Sequence, residues 1–312
     1  MKFQLAKRIA WTMCLAGMAG GLTTAARPAR RAAQAASAAS GTPAPAPLPH
    51  SAKEKLVWAE EFTSAGRPNP ANWREETGYG HWGNHELETY CAYGSNASPC
   101  AARKPNLYVG RDGYLHILAR RTASGKFTSA RIKTEGLKSF QYGRMEARIR
   151  VPAGAGLWPA FWMLGDSIQQ VGWPACGELD IMENIGKEPT AIHGSIHGPG
   201  FTGTALGERY LAPGGVPWSQ GFHNYGLIWS PGKVQYYVDS PSNVYATFLR
   251  SSLPAGAVWP FDQGKFFFIL NLAVGGDWPG PPDRSTQFPA QMLVDYVRVW
   301  QRPLTGEQPA RR

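Results

Sequence analysis

Residues Trp173 to Gly186 read Trp-Pro-Ala-Cys-Gly-Glu-Leu-Asp-Ile-Met-Glu-Asn-Ile-Gly, with Glu178, Asp180 and Glu183 set among Leu179, Ile181, Met182 and Ile185. Acids so close together in apolar text need a structural reason, because a carboxylate taken out of water is costly. In an extended strand, side chains alternate faces, so Glu178 and Asp180 share one face and Glu183 points to the other. One extra residue, a β-bulge at Ile181 or Met182, returns Glu183 to the face of the other two. The stretch therefore predicts a bulged strand inside a sheet, with three carboxylates on one surface. On this reading, deletion of Met182 is expected to destroy the alignment. On spacing alone, an acidic edge or a metal site competes equally with a catalytic pair.

The distances narrow the chemistry. Four strand steps at ~3.3 Å separate the Glu178 and Glu183 Cα atoms by roughly 13 Å. Two glutamates leaning together approach the ~5 to 5.5 Å carboxyl spacing of a retaining glycosidase rather than the ~6.5 to 9.5 Å of an inverting one.

Outward from this stretch, the chain reads as short strands punctuated by turns, which predicts an all-β sandwich. Strands are expected at 56–62, at 106–109 and 114–119 around Asp112-Gly113, at 161–164, at 191–197, at 225–229 and 234–238 around Pro231-Gly232, and at 293–300. Met145, Ala147, Ile149 and Val151 alternate with Arg144, Glu146, Arg148 and Arg150, one buried face against one wet face in an outer sheet. Residues 266–274 are almost wholly apolar, as in a strand covered on both sides. Gly 36 and Pro 26 supply turns, and Trp 12, Tyr 12 and Phe 13 suit both strands and sugar-stacking surfaces.

Of the 312 residues, 1–26 read as an export signal: Lys2, Lys7 and Arg8, an apolar run from Ile9 to Leu22, then Thr24-Ala25-Ala26. That run is too short and glycine-broken for a membrane span. Residues 27–52, rich in Ala and Pro, read as a disordered linker, 53–303 as one folded domain, and 304–312 as a loose tail. Residues 1–52 hold six Lys/Arg and no acid, so the net charge of +10 falls to +4 on the part that folds. Nucleic acid is not an expected partner. After loss of Cys14 with the signal, Cys91 and Cys100 flank a short loop and are able to pair in an oxidising compartment, while Cys176 reads as a small buried hydrophobe.

Glu178-Leu-Asp-Ile-Met-Glu183 resembles the active-site strand of glycoside hydrolase family 16, in the bulged form of its laminarinase-like β-1,3-glucanase branch. The resemblance extends over Trp82-Gly-Asn-His-Glu-Leu87, Tyr142-Gly-Arg-Met-Glu-Ala-Arg148, Gly156-Leu-Trp-Pro-Ala-Phe-Trp162, residues 271–280 and Val294-Asp-Tyr-Val-Arg-Val299. It implies a β-jelly-roll of two curved antiparallel sheets with a concave glycan cleft. It makes Glu178 the nucleophile, Glu183 the acid/base and Asp180 their helper. Asn84, Arg131 and Asn271 then match positions that bond sugar hydroxyls or the carboxylates, and Trp158, Trp162 and Trp278 are the candidate sugar platforms. His197 is expected at a leaving-side subsite, with a zinc site built from His193 and His197 the weaker option. A structural calcium on the opposite face would use Glu61, the backbone of Gly113 and Asp295. The chain departs from the branch at Asn84-His85, where a double asparagine is more usual.

The expected protein is thus an exported, monomeric endo-acting hydrolase of β-1,3-glucan, with mixed β-1,3-1,4-glucan within the same reading. It needs no catalytic cofactor, and a polysaccharide is its partner. A glucan-binding lectin on the same fold, a galactan-active relative and a transglycosylase are the alternatives.

Overall fold

The computed structural model describes residues 54–202 and 206–302; the signal, linker and tail read from the sequence lie outside the described residues. The chain forms β1 (Lys55–Glu60), β2 (Arg74–Glu76), β3 (Glu88–Tyr90), β4 (Leu107–Val109), β5 (Leu115–Arg121) and β6 (Phe127–Ser129). It continues through β7 (Arg131–Lys133), β8 (Gly143–Arg150), β9 (Leu157–Gly165), the single-turn α1 (Ile168–Val171), β10 (Glu178–Glu183), β11 (Ala191–His197) and β12 (Gly207–Leu211). Last come β13 (His223–Ser230), β14 (Lys233–Val238), β15 (Val244–Leu249), β16 (Phe266–Val274) and β17 (Ala290–Gln301). Among the described residues, no helix is long and apolar enough to cross a membrane.

Two sheets pack as a jelly-roll sandwich, almost entirely antiparallel. The outer sheet runs β15-β14-β13-β8-β17-β5-β6-β3, with β1 also on β17 and β4 also on β5; the inner sheet runs β12-β11-β10-β9-β16-β7-β2. Between them lies one large core in which Met145, Ala147 and Ile149 of β8 meet inner-sheet residues such as Phe161, Leu179, Met182 and Phe268. Every residue of β16 is buried, as expected for a strand covered on both faces. Both expected hairpins form, β4 to β5 and β13 to β14.

Two differences from the sequence reading have local causes, whereas the cysteines follow it. The strand expected at 161–164 starts at Leu157, ahead of Pro159. Proline is tolerated there because β10 ends opposite Ala160, and the Pro159 carbonyl accepts the Asn184 N–H at 3.2 Å, so the missing donor faces a place where the ladder has stopped. The wet face expected of β8 is partly dry. Arg144 and Glu146 are buried, satisfied by each other and by the Tyr237 and Tyr296 hydroxyls, in the middle of a wide sheet where neighbouring side chains exclude water. Cys91 and Cys100 form a disulfide, and Cys176 is free and buried.

Candidate active site

The bulge is present in β10. Against β9, Asp180 pairs with Trp162, Met182 with Phe161 and Glu183 with Ala160, which leaves Ile181 as the extra residue. Against β11, Asp180 pairs with Ser195 and Glu183 with His193, with the same irregularity between them. Leu179, Ile181 and Met182 all enter the core, while Glu178, Asp180 and Glu183 face the other side. The expectation for a Met182 deletion reverses with this register. Period two means that removing one of the two bulged residues restores plain alternation and leaves Glu183 on the same face.

Each carboxylate has a distinct partner. Glu178 Oε2 accepts from the Trp173 indole N–H at 2.6 Å, and Glu183 Oε1 accepts from the Trp158 indole N–H at 3.0 Å. Asp180 Oδ2 lies 2.9 Å from His197 Nε2, an ion pair by distance but poorly aligned as a hydrogen bond. Trp173 is brought over Glu178 by the tight turn from Gly172 to Gly177. Gly177 takes φ +80, and a Cβ there would meet Pro260 and Phe266 at 2.8 and 2.9 Å.

Burial raises all three carboxyl groups. It pushes Glu178 up to about 8, helped by the charge of Asp180, and Glu183 up to about 7, helped by that of Glu178. Asp180 is also raised by burial and by Glu183, against the opposing pull of His197. Donor-only indoles favour the ionised form of either glutamate, so the pair is poised to hold one proton between them near neutral pH.

Two hollows of about 430 and 370 Å³ meet at these acids and share Asn84, Trp158, Trp173 and the three carboxylates. They are two halves of one open cleft over the inner sheet. In the first half, Trp278 and Trp158 meet edge to face at 5.4 Å, and His193 lies 4.9 Å from Trp278. In the second half, Trp162 donates from its indole N–H to Asn271 Oδ1 at 2.7 Å, and the Asn271 amide donates to the Tyr90 hydroxyl at 3.2 Å. Trp158 and Trp162 share a face of β9 because they stand four residues apart, and both are half-buried.

The sequence candidates therefore converge, with qualifications. Asn84, Arg131, Trp158, Trp162, His197, Asn271 and Trp278 all line the cleft. Arg131, however, is bound to Glu76 at 2.5 Å, with its guanidinium 5.1 Å from the Trp82 ring and 4.8 Å from the Trp162 ring, so it braces two aromatic walls. His197 is turned onto Asp180. Trp173 and Trp82 were not picked out from the sequence. The signal for Trp173 was its place five residues before Glu178, within the stretch that carries the acids.

The expected calcium ligands do not make a cation site. Glu61 accepts two hydrogen bonds from Arg298 at 2.7 and 2.8 Å, and Asp295 accepts one from Arg148 at 2.6 Å. Two guanidinium groups already neutralise these carboxylates and would repel a divalent ion. The zinc option is changed too: His193 pairs with Glu188 at 3.4 Å and His197 with Asp180, on separate carboxylates.

The chain is similar to known proteins over most of its length. The family profile described as glycosyl hydrolases family 16 matches residues 96–298. A beta-glucanase of Rhodothermus marinus is 39% identical over 259 residues, covering 79% of this chain and 85% of its own. A glucan endo-1,3-beta-glucosidase of Cryptopygus antarcticus is 36% identical over 269 residues, covering 78% of this chain and 91% of its own. Among solved structures, the endo-beta-1,3-glucanase from Pyrococcus furiosus superposes with a TM-score of 0.71 at 43% identity, covering 80% of this chain and 95% of that one. The laminarinase catalytic domain from Thermotoga maritima MSB8 gives 0.71 at 41% identity, covering 81% and 100%.

Proposed function

The chain belongs to glycosyl hydrolase family 16 and is a glycoside hydrolase acting on β-glucan, and from that premise we propose an exported endo-β-1,3-glucanase that retains anomeric configuration. The observation that carries this reading is the bulge at Ile181, which sets Glu178 and Glu183 on one face with Asp180 between them. Glu178 attacks the anomeric carbon while Glu183 gives its proton to the departing oxygen, breaking the glycosidic bond and leaving a glycosyl ester on Glu178. Glu183, now ionised, takes a proton from water. That water attacks the same carbon, releases Glu178 and gives a product with the original configuration. Every bond made or broken is assigned to a carboxyl group, so the proposal calls for no cofactor.

An open cleft over the inner sheet suits internal cutting of a polymer, and its tryptophan faces suit a neutral sugar. Sulfated galactans fit less well. Arg131, the one basic candidate from the sequence, is spent on Glu76, and Arg209 at the other end of the cleft pairs with Glu188 at 3.5 Å. Action as a monomer is part of the same proposal. Export belongs to the same proposal, since polymeric glucan is met outside the cell.

Incubation with laminarin, lichenan and agarose, followed by product size and NMR of the first-formed anomer, tests the reading. Short laminarin oligosaccharides with β product first are expected. Binding without cleavage would leave a lectin, and α product first would mean inversion.

The pH profile is a second expectation. Productive free enzyme needs Glu178 ionised and Glu183 protonated, yet Glu178 is pushed up to about 8 and Glu183 to about 7. The competent form is then the minority arrangement of a single shared proton, and positive charge developing on the bound sugar draws the proton away from Glu178. A bell-shaped kcat/KM with its maximum between about pH 7 and 8 follows. An acid limb near the ordinary glutamate value of ~4.3 would contradict the burial of the pair.

A further inference from the structure

We propose that His197 is a positioning residue: its imidazolium, held on Asp180, keeps the central carboxylate ionised so that the one proton of the acid cluster is left for Glu183. The inference deepens the glucanase reading and rests on it for the roles of the two glutamates.

The strand pairing that builds the cleft also builds this contact. His197 on β11 is the register partner of Glu178 on β10, and its side chain crosses to Asp180, with Nε2 2.9 Å from Oδ2. Both side chains are largely shielded, 14% and 3% exposed. One ligand-type atom from each of Glu178, Asp180 and His197 lies within 4.8 Å of the others. With Glu183 on the same face, its charge raising Asp180 and the charge of Glu178 raising Glu183 in turn, the three carboxyl groups cannot all ionise without a counter-charge. With His197 charged, Asp180 and Glu178 ionised and Glu183 neutral, the cluster carries one net negative charge, that of the nucleophile. With a neutral residue in place of His197, Asp180 competes for the proton and Glu178 also binds one more readily.

Among the described residues, no other cation near the cluster does this work. On the same strand, His193 is lowered by burial and faces Glu188. On β12, Glu208 is register partner to Gly194, and Arg209 is taken by Glu188. From β9 come only the apolar and indole groups of Trp158, Ala160 and Trp162. From the outer sheet, Tyr236 and Tyr245 are raised by burial and stay neutral. His197 therefore faces carboxylates above all. Burial pulls the imidazole down, but the contact with Asp180 and the charges of Asp180, Glu178 and Glu183 outweigh it and push His197 up to about 9. The sign follows: the stabilisation from this pair is complete below the unpaired histidine value of ~6.5 and is lost as pH rises through about 9.

The first test needs neither substrate nor variant. Nitrogen-15 NMR of the histidines in the intact enzyme is expected to show His197 doubly protonated at pH 7.5; a neutral ring at that pH would overturn the proposal. The second test is His197→Gln. Its kcat/KM on laminarin is expected to fall on the order of 10²-fold, through kcat with KM within about twofold, and the acid limb to move up by about one pH unit. On a dinitrophenyl β-laminarioside, whose leaving group needs no proton, the loss in kcat/KM is expected to shrink below tenfold. A raised KM with unshifted limbs would make His197 a sugar contact. Equal losses on both substrates with unshifted limbs would make it merely structural; either result sinks the proposal. Should the variant not fold, the NMR result decides. Wild-type enzyme inactive on glucan would defeat the glucanase reading while leaving the measured charge of His197 standing.

Discussion

Glu178→Ala is expected to lose on the order of 10⁴-fold or more in kcat on laminarin while still binding it, because no other group in the cleft is placed to form the glycosyl ester. Glu183→Ala should lose about 10²- to 10⁴-fold, the range for removing a general acid. Azide separates the two roles. In Glu178→Ala the anion occupies the vacated space and displaces the leaving group once, giving the α-glycosyl azide. In Glu183→Ala, given a substrate whose leaving group needs no proton, Glu178 still forms the ester and azide then opens it without a base, giving the β-azide. Product NMR reads both results, and exchanged stereochemistry would swap the two assignments. The corresponding glutamine variants carry a stability signature as well. A glutamate raised by burial binds a proton in the folded state that it lacks when unfolded, so its contribution to stability falls as pH rises from about 4.5 toward 7 or 8. Glu183→Gln should therefore melt higher than the parent at pH 8 and not at pH 4.

Deletion of Ile181 is expected to retain activity while costing much stability. Ile181 is the one residue of β10 without a partner in β9, so its removal leaves Asp180 opposite Trp162, Met182 opposite Phe161 and Glu183 opposite Ala160. The pairs of Asp180 with Ser195 and Glu183 with His193 also survive. The strand straightens, all three carboxylates stay on the cleft face, and activity should remain within about 10²-fold of the parent, the scale of an ångström misplacement. Loss of the buried isoleucine side chain should cost ~2–5 kcal/mol, or roughly 4–20 °C in Tm for a domain of this size. Deleting Ile181 and Met182 together reverses the parity, turns Glu183 into the core and should leave no measurable activity. Thermal melts and laminarin assays of the two deletions distinguish these outcomes; an inactive but folded single deletion would refute the register argument.

Much of this was legible in the chain. The alternation at 145–151, the apolar run at 266–274 and the turns at Asp112-Gly113 and Pro231-Gly232 mark strands because side-chain period and turn chemistry are local properties. Short elements were not legible. The three-residue strands β2, β3, β6 and β7 have too few residues to show a period, and they exist because longer neighbours offer them an edge. Their effect on the site is considerable: β7 sets Arg131 opposite Asn271, and β2 sets Glu76 opposite Arg131. Arg131 and Asp295 carry charges that look free in the sequence, and only folding brings Glu76 and Arg148 to them.

The sequence by itself determined the acid triad, the need for a bulge and the all-β class, since each follows from residue type and spacing along one strand. It did not determine which residue is the extra one, because either Ile181 or Met182 satisfies the parity and only the register with β9 separates them. Nor did it assign His197 to Asp180 or Trp173 to Glu178. Those contacts join residues on different elements, and their distances are set by sheet order and by the turn at Gly177 rather than by position in the chain. The tertiary structure thus decided how the protons and charges of the three acids are shared, because burial and neighbouring charge, which fix a pKa, exist only once the strands are side by side.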